Sequence, residues 1–512
     1  MTFLTKARDK ILSRNSIILI LVFLAYYFIW GAFFHACPLF YDMYVMKSDY
    51  LIRGSSFIGV LKAVFFTGGA WKNARYLVNI INIYIVSYEF VSDWIMPLVF
   101  LGGIWFSQRV VSENKKWYAA LLGFGLFLGV SPGIVGQCYS YSYVLFLLPI
   151  LFITLFSFVI QEYIKDNTVL AGHVRKALFL ILVYLNACFN EHISCAFSLI
   201  MIFYCFREYV LRKRKDKLLL IATIISLIQT LYMNLYLIIL KTRPLADDTA
   251  GLAKIIKGNF RILLIETWIS NPIIFVTFLL ILSFCVRKKI SWFLCDLVIT
   301  TGYIIWVVFI YSGGSAFLIC PKIEADMPIN YIPSNLWWLW GALFIGVNLF
   351  IFYQIVSLSE GIATVFFAGG CSTVPVILTP NTGWRISAFY VFCIILVTVM
   401  LIEKTELVKV AYAICIACAV VVAFIGTRSF FQRIERISVS REEIESVIKD
   451  TRYLQREGEW KIEEDVMYLP GYSDRDVVYG GRFGENSYYK RIFCYINGLD
   501  SNTILEDIIY DE

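Results

Sequence analysis

The chain has 512 residues, of which 59% are hydrophobic, 17% aromatic and only 16% charged. Soluble domains carry about 25% charged and about 45–50% apolar residues, and a single soluble core stops growing near about 250–300 residues. The composition therefore excludes a soluble enzyme and equally a disordered, collagenous or disulfide-framework protein. Several runs reach the roughly 20 apolar residues that span a hydrocarbon layer, which points to an all-α polytopic membrane protein.

Charge is divided along the chain. From Phe431 onward there are 11 Lys/Arg against 18 Asp/Glu, net −7; the whole chain carries +7, so residues 1–430 hold +14. A basic membrane portion followed by an acidic tail argues against a nucleic-acid partner. Most of the 13 cysteines lie in apolar runs and read as small core hydrophobes. The C-x-x-C at Cys415–Cys418 has no second pair or His beside it, so no metal is expected there. Cys37, Cys138, Cys320 and Cys494 fall in loops or the tail, and sequence leaves their pairing open.

In chain order, Lys6, Arg8, Lys10 and Arg14 precede an apolar run from about Ser16 to Phe34. The run is long for a signal peptide and no A-x-A site follows, which predicts a retained first helix running from inside to outside. Residues 36–89 then form an outer loop, in which Phe57–Phe66 and Tyr76–Phe90 predict short helices in the interface plane. Cations fix the later path: Arg109, Lys115 and Lys116; Lys165, Arg175 and Lys176; Arg207 and the run Arg212 to Lys217; and Arg287 to Lys289. The positive-inside rule puts all of these in the cytoplasm, so an even number of crossings joins each to the next. The outer tips between them are Ser131-Pro132-Gly133 and Asn190-Glu191-His192.

This path gives about thirteen transmembrane helices, near 16–35, 90–108, 117–135, 142–161, 177–190, 193–207, 218–240, 262–286, 290–312, 335–356, 362–379, 386–402 and 407–427. The inside turn at Ser357–Gly361 carries no cation of its own. An odd count places the tail outside. Further outer loops lie near 241–261, 313–334 and 380–385. In the tail, Ser440 and Glu443 form a capping-box pattern and Ile444, Val447, Ile448 and Leu454 recur at helical spacing, predicting a helix over Ser438–Gln455. Asp465–Leu469, Asp476–Tyr479 and Tyr488–Ile496 read as short β or turn pieces. A transmembrane domain over 1–430 is thus expected to carry a small α+β extracytoplasmic domain over 431–512.

The candidate chemistry lies on the outer face. Asp42 stands among aromatics, Tyr41 and Tyr44 included, with Asp49 seven residues on; an acid there suits a general base. Lys72 and Arg75 are outer cations, disfavoured by the positive-inside rule and suited to a phosphate. Glu191 and His192 are ionisable groups between two apolar half-helices, where such groups face a polar cavity. Arg243 and Arg385 add a cation to two further outer loops. There is no Walker A lysine motif, G-x-S-x-G or H-E-x-x-H, and Asp474-Arg475-Asp476 reads as a solvated turn.

This order of features resembles the polytopic C-type glycosyltransferases, and more closely the bacterial serotype-converting transferases that glucosylate O-antigen. The features are an acid after helix one (Asp42), a Trp-to-Arg element (Trp71 to Arg75), an outer turn before a Tyr-rich helix start (Ser131 to Tyr143), an Asn-Glu tip (Asn190-Glu191-His192) and a late outer loop with an arginine (Pro380 to Arg385). They run along most of the chain. The resemblance implies an enzyme of the cytoplasmic (inner) membrane of a bacterium, with its N-terminus inside. It would take a hexose, glucose being expected, from a polyprenyl-phosphate donor on the outer face. It would pass it to a hydroxyl of a cell-surface glycan such as lipopolysaccharide O-antigen, in partnership with a separate flippase and a donor-lipid synthase. In that reading Asp42 is the base with Glu191 as alternative or partner. Arg75, Arg243, Arg385 and Lys72 hold the phosphate, and His192, Asp49, Tyr41 and Tyr44 support the acceptor. No cofactor and no obligatory metal are expected. A polysaccharide polymerase and a lipid or solute transporter remain the alternatives.

Overall fold

The computed structural model describes residues 14–36, 47–48, 50–52, 56–66, 75–88, 90–112, 115–130, 147–239, 256, 259–260, 263–311, 337–377, 387–405, 409–461, 465–470, 487–500 and 502–508. The fold is helical. Among the described residues, eight helices are long and apolar enough to cross a membrane, among them Asn15–Ala36, Glu191–Leu211 and Cys415–Gln432. Helix α1 is Arg14–Ala36, close to the bounds its sequence predicts. The outer segment supplies α2 (Phe57–Phe66) and α3 (Tyr76–Ser87), both too short to span. A π-helical turn at Val91–Ile95 leads into α4 (Met96–Val111), followed by α5 (Trp117–Leu128), α6 (Leu148–Lys165), α7 (His173–Asn186) and α8 (Glu191–Phe206). Next come α9 (Lys217–Ile239), α10 (Pro272–Val286), α11 (Ile290–Tyr311), α12 (Trp337–Leu358), α13 (Glu360–Ile377) and α14 (Ser387–Lys404).

Three sequence expectations are corrected. The helix expected over 262–286 is broken: a π-helical turn at Ile265–Ile269 gives way at Asn271, which leaves helical geometry (φ −127°, ψ 51°), and α10 starts at Pro272. Proline has no N–H to donate and drives the residue before it out of the helical region. The last membrane helix and the tail helix, expected separately over 407–427 and 438–455, are one 49-residue helix, α15 (Lys409–Glu457). No proline interrupts that stretch, so backbone hydrogen bonding runs through Ser440. Tyr488–Ile496, expected as β or turn, is the helix α16 (Ser487–Asn497). Elsewhere the boundaries move by a few residues; α5 ends at Leu128 rather than near 135. The expected piece at 476–479 lies outside the described residues.

Helix α14 is the centre of the bundle. It is buried continuously from Ala388 to Glu403, with α4, α5, α10 and α13 packed around it. Its C-terminal end gathers the connections that carry cations. Lys116 Nζ donates to the carbonyls of Ile402 (2.7 Å), Glu403 (3.0 Å) and Thr405 (2.9 Å), which satisfies carbonyls a helix end leaves without intrahelical partners. Glu403 Oε1 accepts from Gln108 Nε2 (2.6 Å) and from the Lys116 N–H (2.8 Å). At the same end Gln161 bonds the Val110 carbonyl, Ser359 Oγ and the Gly361 N–H, joining α4, α6 and the α12–α13 turn. That turn has no cation in its sequence but borrows two: Glu360 pairs with Arg207 and, at 3.5 Å, with Arg212. The turn at Ser357–Gly361 therefore lies with the cation-bearing connections.

The membrane part of α15 packs along α5 with almost no space between the backbones. A Cβ on Gly125 would stand 2.6 Å from Ala423 Cα, and Gly426 lies against the Gly125 carbonyl. Small residues that admit such contact are the main device of helix association in lipid. Aromatic rings close the same group of helices: Trp30 of α1 stacks on Phe100 of α4 (centroids 4.0 Å apart) and meets Phe430 of α15 at 4.8 Å. At the far end Arg441 donates to the His35 carbonyl and the His35 ring bonds Asp93 at 2.9 Å, strapping α15 to the end of α1 and to the turn that leads into α4. Beyond the strap, β1 (Val466–Pro470) and β2 (Ile504–Ile508) pair in parallel, Val466 opposite Ile504. Ile448, Met467, Phe493, Cys494 and Leu499 form a second small core there.

Two outcomes test this arrangement. Gly125→Leu should lower stability by about 1–3 kcal/mol or more, read as thermal melting in detergent. In a cysteine-depleted background, Ser357→Cys and Lys213→Cys should be labelled from one side of the membrane by an impermeant maleimide and Glu442→Cys from the other. Labelling of all three from one side would overturn the path.

Candidate functional site

Two of the residues singled out in the sequence meet at the end of the bundle away from the cation-bearing connections. Arg75 is the N-cap residue of α3, and Glu191 is in the first turn of α8. Arg75 Nε donates to Glu191 Oε1 at 3.0 Å and Arg75 Nη2 to Glu191 Oε2 at 2.6 Å. This is the bidentate fork-to-carboxylate geometry, which is stronger and more directional than a single contact. The side chains are 17% and 8% exposed, so bulk water screens the pair weakly.

Local sequence explains the positions. Asn190 caps α8, its Oδ1 accepting from the Ile193 N–H at 2.9 Å, and it holds the short turn after α7 in place. Glu191 follows at the helix start, where the positive end of the macrodipole favours a carboxylate. His192 is next along α8 and is buried. Glu191 and His192 are thus the opening of a helix rather than an open tip. On the other partner, Tyr76 follows Arg75 directly. Its hydroxyl bonds the Tyr184 hydroxyl and lies 3.5 Å from Cys188 Sγ and 3.4 Å from Gln229 Oε1, so α3 is anchored to α7, the α7–α8 turn and α9.

One face of α3 is polar where an interfacial helix would be apolar. Arg75, Asn79 and Asn82 recur at helical spacing, and both asparagines are fully buried. Neither amide atom of Asn82 has a hydrogen-bond partner. Burying an amide without partners costs free energy, and the helix packs against α2 and the π-helical turn at Val91–Ile95. Burial along α3 and the Tyr76 contacts hold it to its neighbours. Elsewhere Asp296 of α11 accepts from Gln354 Nε2 of α12 at 3.0 Å.

The other sequence candidates, Tyr41, Asp42, Tyr44, Asp49, Lys72, Arg243 and Arg385, lie outside the described residues. Cys37, Cys138 and Cys320 do too. Among the described residues no group of three or more His, Cys, Asp and Glu is gathered. Sequence reasoning named Arg75, Glu191 and His192 but passed over Tyr76, Tyr184, Asn190 and Gln229 as site residues. Asn79 and Asn82 stand out in the sequence as breaks in the apolar run from Tyr76 to Phe90, though not as site residues. No protein-family model, curated protein or solved structure matches the chain.

The pair can be tested thermodynamically. Removing one member leaves the other charge buried, at a cost of about 3–5 kcal/mol, whereas replacing both costs less. Glu191→Gln and Arg75→Gln should each destabilise the protein more than the double variant does. Additive losses in denaturant unfolding would show that the two side chains do not couple.

Proposed function

We propose that the chain is a glycosyltransferase that moves a hexose from a polyprenyl-phosphate donor to a hydroxyl of a cell-surface glycan, acting on the outer face of a bacterial cytoplasmic membrane. The observation that carries this reading is the bidentate Arg75–Glu191 pair, buried at the end of the bundle opposite the cation-bearing connections. One member has the donor fork that a phosphate needs, and the other has the carboxylate that a hydroxyl nucleophile needs. By the positive-inside rule the cation-bearing end faces the cytoplasm, which puts the pair and the acidic tail outside.

The chemistry follows from the two groups. A donor phosphate competes with Glu191 for the Arg75 guanidinium, so binding the donor releases the carboxylate. The acceptor oxygen forms a bond to the anomeric carbon as the bond from that carbon to the phosphate oxygen breaks. The acceptor proton passes to a carboxylate, either Asp42 or Glu191. The polyprenyl phosphate leaves with the bonding pair, its charge held by Arg75 with Lys72, Arg243 and Arg385. General-base help of this kind contributes about 10²–10⁴-fold, and a cation aimed at the developing phosphate charge lowers the barrier further.

The test is transfer of labelled hexose from polyprenyl phosphate to the glycan by the purified protein. Asp42→Asn is expected to abolish transfer, Glu191→Gln to reduce it by about 10²-fold or more, and Arg75→Ala to raise the donor KM as well as lower kcat. Full activity in both carboxylate variants would remove the mechanism. No transfer with any donor, together with altered glycan length in cells lacking the protein, would favour a polymerase.

A further inference from the structure

At the opposite end of the bundle, the chain between α8 and α9 has a chemistry that the transferase reading does not use. Helix α8 ends in a π-helical turn, Arg207–Leu211, closed by the Arg212 N–H on the Arg207 carbonyl at 3.0 Å. The wider turn matters. Residues five apart diverge on an α-helix but nearly align on a π-helix, so Arg207 and Arg212 both reach Glu360 at the start of α13. Arg212 also bonds Glu208 at 2.9 Å. Of the acids here, Glu208 and Glu360 are thus committed to these two arginines. Asp216 accepts from the Tyr163 hydroxyl (2.6 Å) and from the N–H groups of Leu218 and Leu219.

The remaining cations face outward. Lys213, Lys215 and Lys217 are exposed and Arg214 is half-buried. Six cations from Arg207 to Lys217, set against Glu208, Asp216 and Glu360, leave a local charge of +3. An exposed apolar surface begins directly below: Phe206, Val210 and Leu211 are each more than half exposed. Beside it, a shallow cleft runs between α8, α12 and α13. Phe203, Phe352, Val356 and Phe367 line it, and Arg207 and Glu360 stand at its mouth.

We propose that this is a binding site for an anionic phospholipid. Its phosphate would lie on Lys213, Lys215 and Lys217 and an acyl chain along the aromatic cleft. Each part of the surface answers one part of that ligand. Exposed ammonium groups suit a phosphate as point charges; a mainly apolar, phenylalanine-rich cleft suits a hydrocarbon chain lying along it; and basic recesses between helices at a membrane face are where anionic headgroups are held. The site is separate from Arg75 and Glu191, which lie at the other end of the bundle, so it stands whether or not the transferase reading does.

The test uses the purified full-length protein in detergent, melted with added phosphatidylglycerol, phosphatidylcholine or glycerol phosphate. Phosphatidylglycerol should raise the Tm above the value in phosphatidylcholine, by a margin that shrinks as salt is added and disappears in the Lys213→Gln/Lys215→Gln/Lys217→Gln variant. Equal stabilisation by the two lipids would overturn the proposal, as would a margin that survives in the variant. Glycerol phosphate matching phosphatidylglycerol would show that a headgroup alone suffices, and would overturn the lipid assignment. Native mass spectrometry of the wild-type protein gives a reading independent of the variant. Preferential retention of phosphatidylglycerol from an equal mixture supports the site, and equal retention of both lipids removes it.

Discussion

Helix α14 has no face left for lipid, and this constraint shapes the bundle around it. A helix buried on all sides can keep a uniformly apolar surface, but its last carbonyls still need donors. Here the donors come from another connection, through Lys116 at the α4–α5 turn, while the Glu403 side chain returns bonds to Gln108 and to the Lys116 backbone. One lysine therefore caps the central helix and fixes two of the helices that surround it. In hydrocarbon no water replaces such bonds, so the polar end of α14 has to be closed by the protein itself.

The two ends of the bundle treat charge differently. At the cation-bearing end, charges form a network in which Glu360 serves two arginines and three lysines remain exposed. At the other end Arg75 and Glu191 are locked together by two hydrogen bonds and largely shielded from solvent. Removing one member of the Arg75–Glu191 pair leaves the other's charge buried without that counter-charge. A buried pair of that kind is costly to keep for stability alone.

Much of this architecture was legible in the sequence, and the reasons are local. Apolar run lengths gave α1 nearly to the residue, Phe57–Phe66 matched α2, and the positions of Arg109, Lys116 and Arg207 gave the common end of the connections. Arg75 and Glu191 were each recognisable because a charge near an apolar run needs a reason. That they meet was not legible: they are 116 positions apart, and neither carries a mark of the other. Residues 487–497 misled because Tyr, Phe and Ile favour strands in composition, while burial of Phe493 and Cys494 against the end of α15 selects a helix. The π-helical turns at 91–95, 207–211 and 265–269 were equally hidden, since their stability comes from contacts across the bundle.

The unbroken course of α15 turns sequence length into an angle. Gly426, pressed on α5, and Arg441, bonded to the His35 carbonyl, lie on one rigid rod. Each residue between them adds about 1.5 Å of rise and about 100° of rotation. The tail core, built on Ile444, Val447 and Ile448 of the same rod, therefore faces a direction set by a residue count and not by any loop. Substitutions along this stretch leave that direction alone, whereas a single inserted or deleted residue would swing the tail by more than a quarter turn and pull Arg441 away from α1. What the segment between Phe430 and Arg441 encodes is chiefly its length.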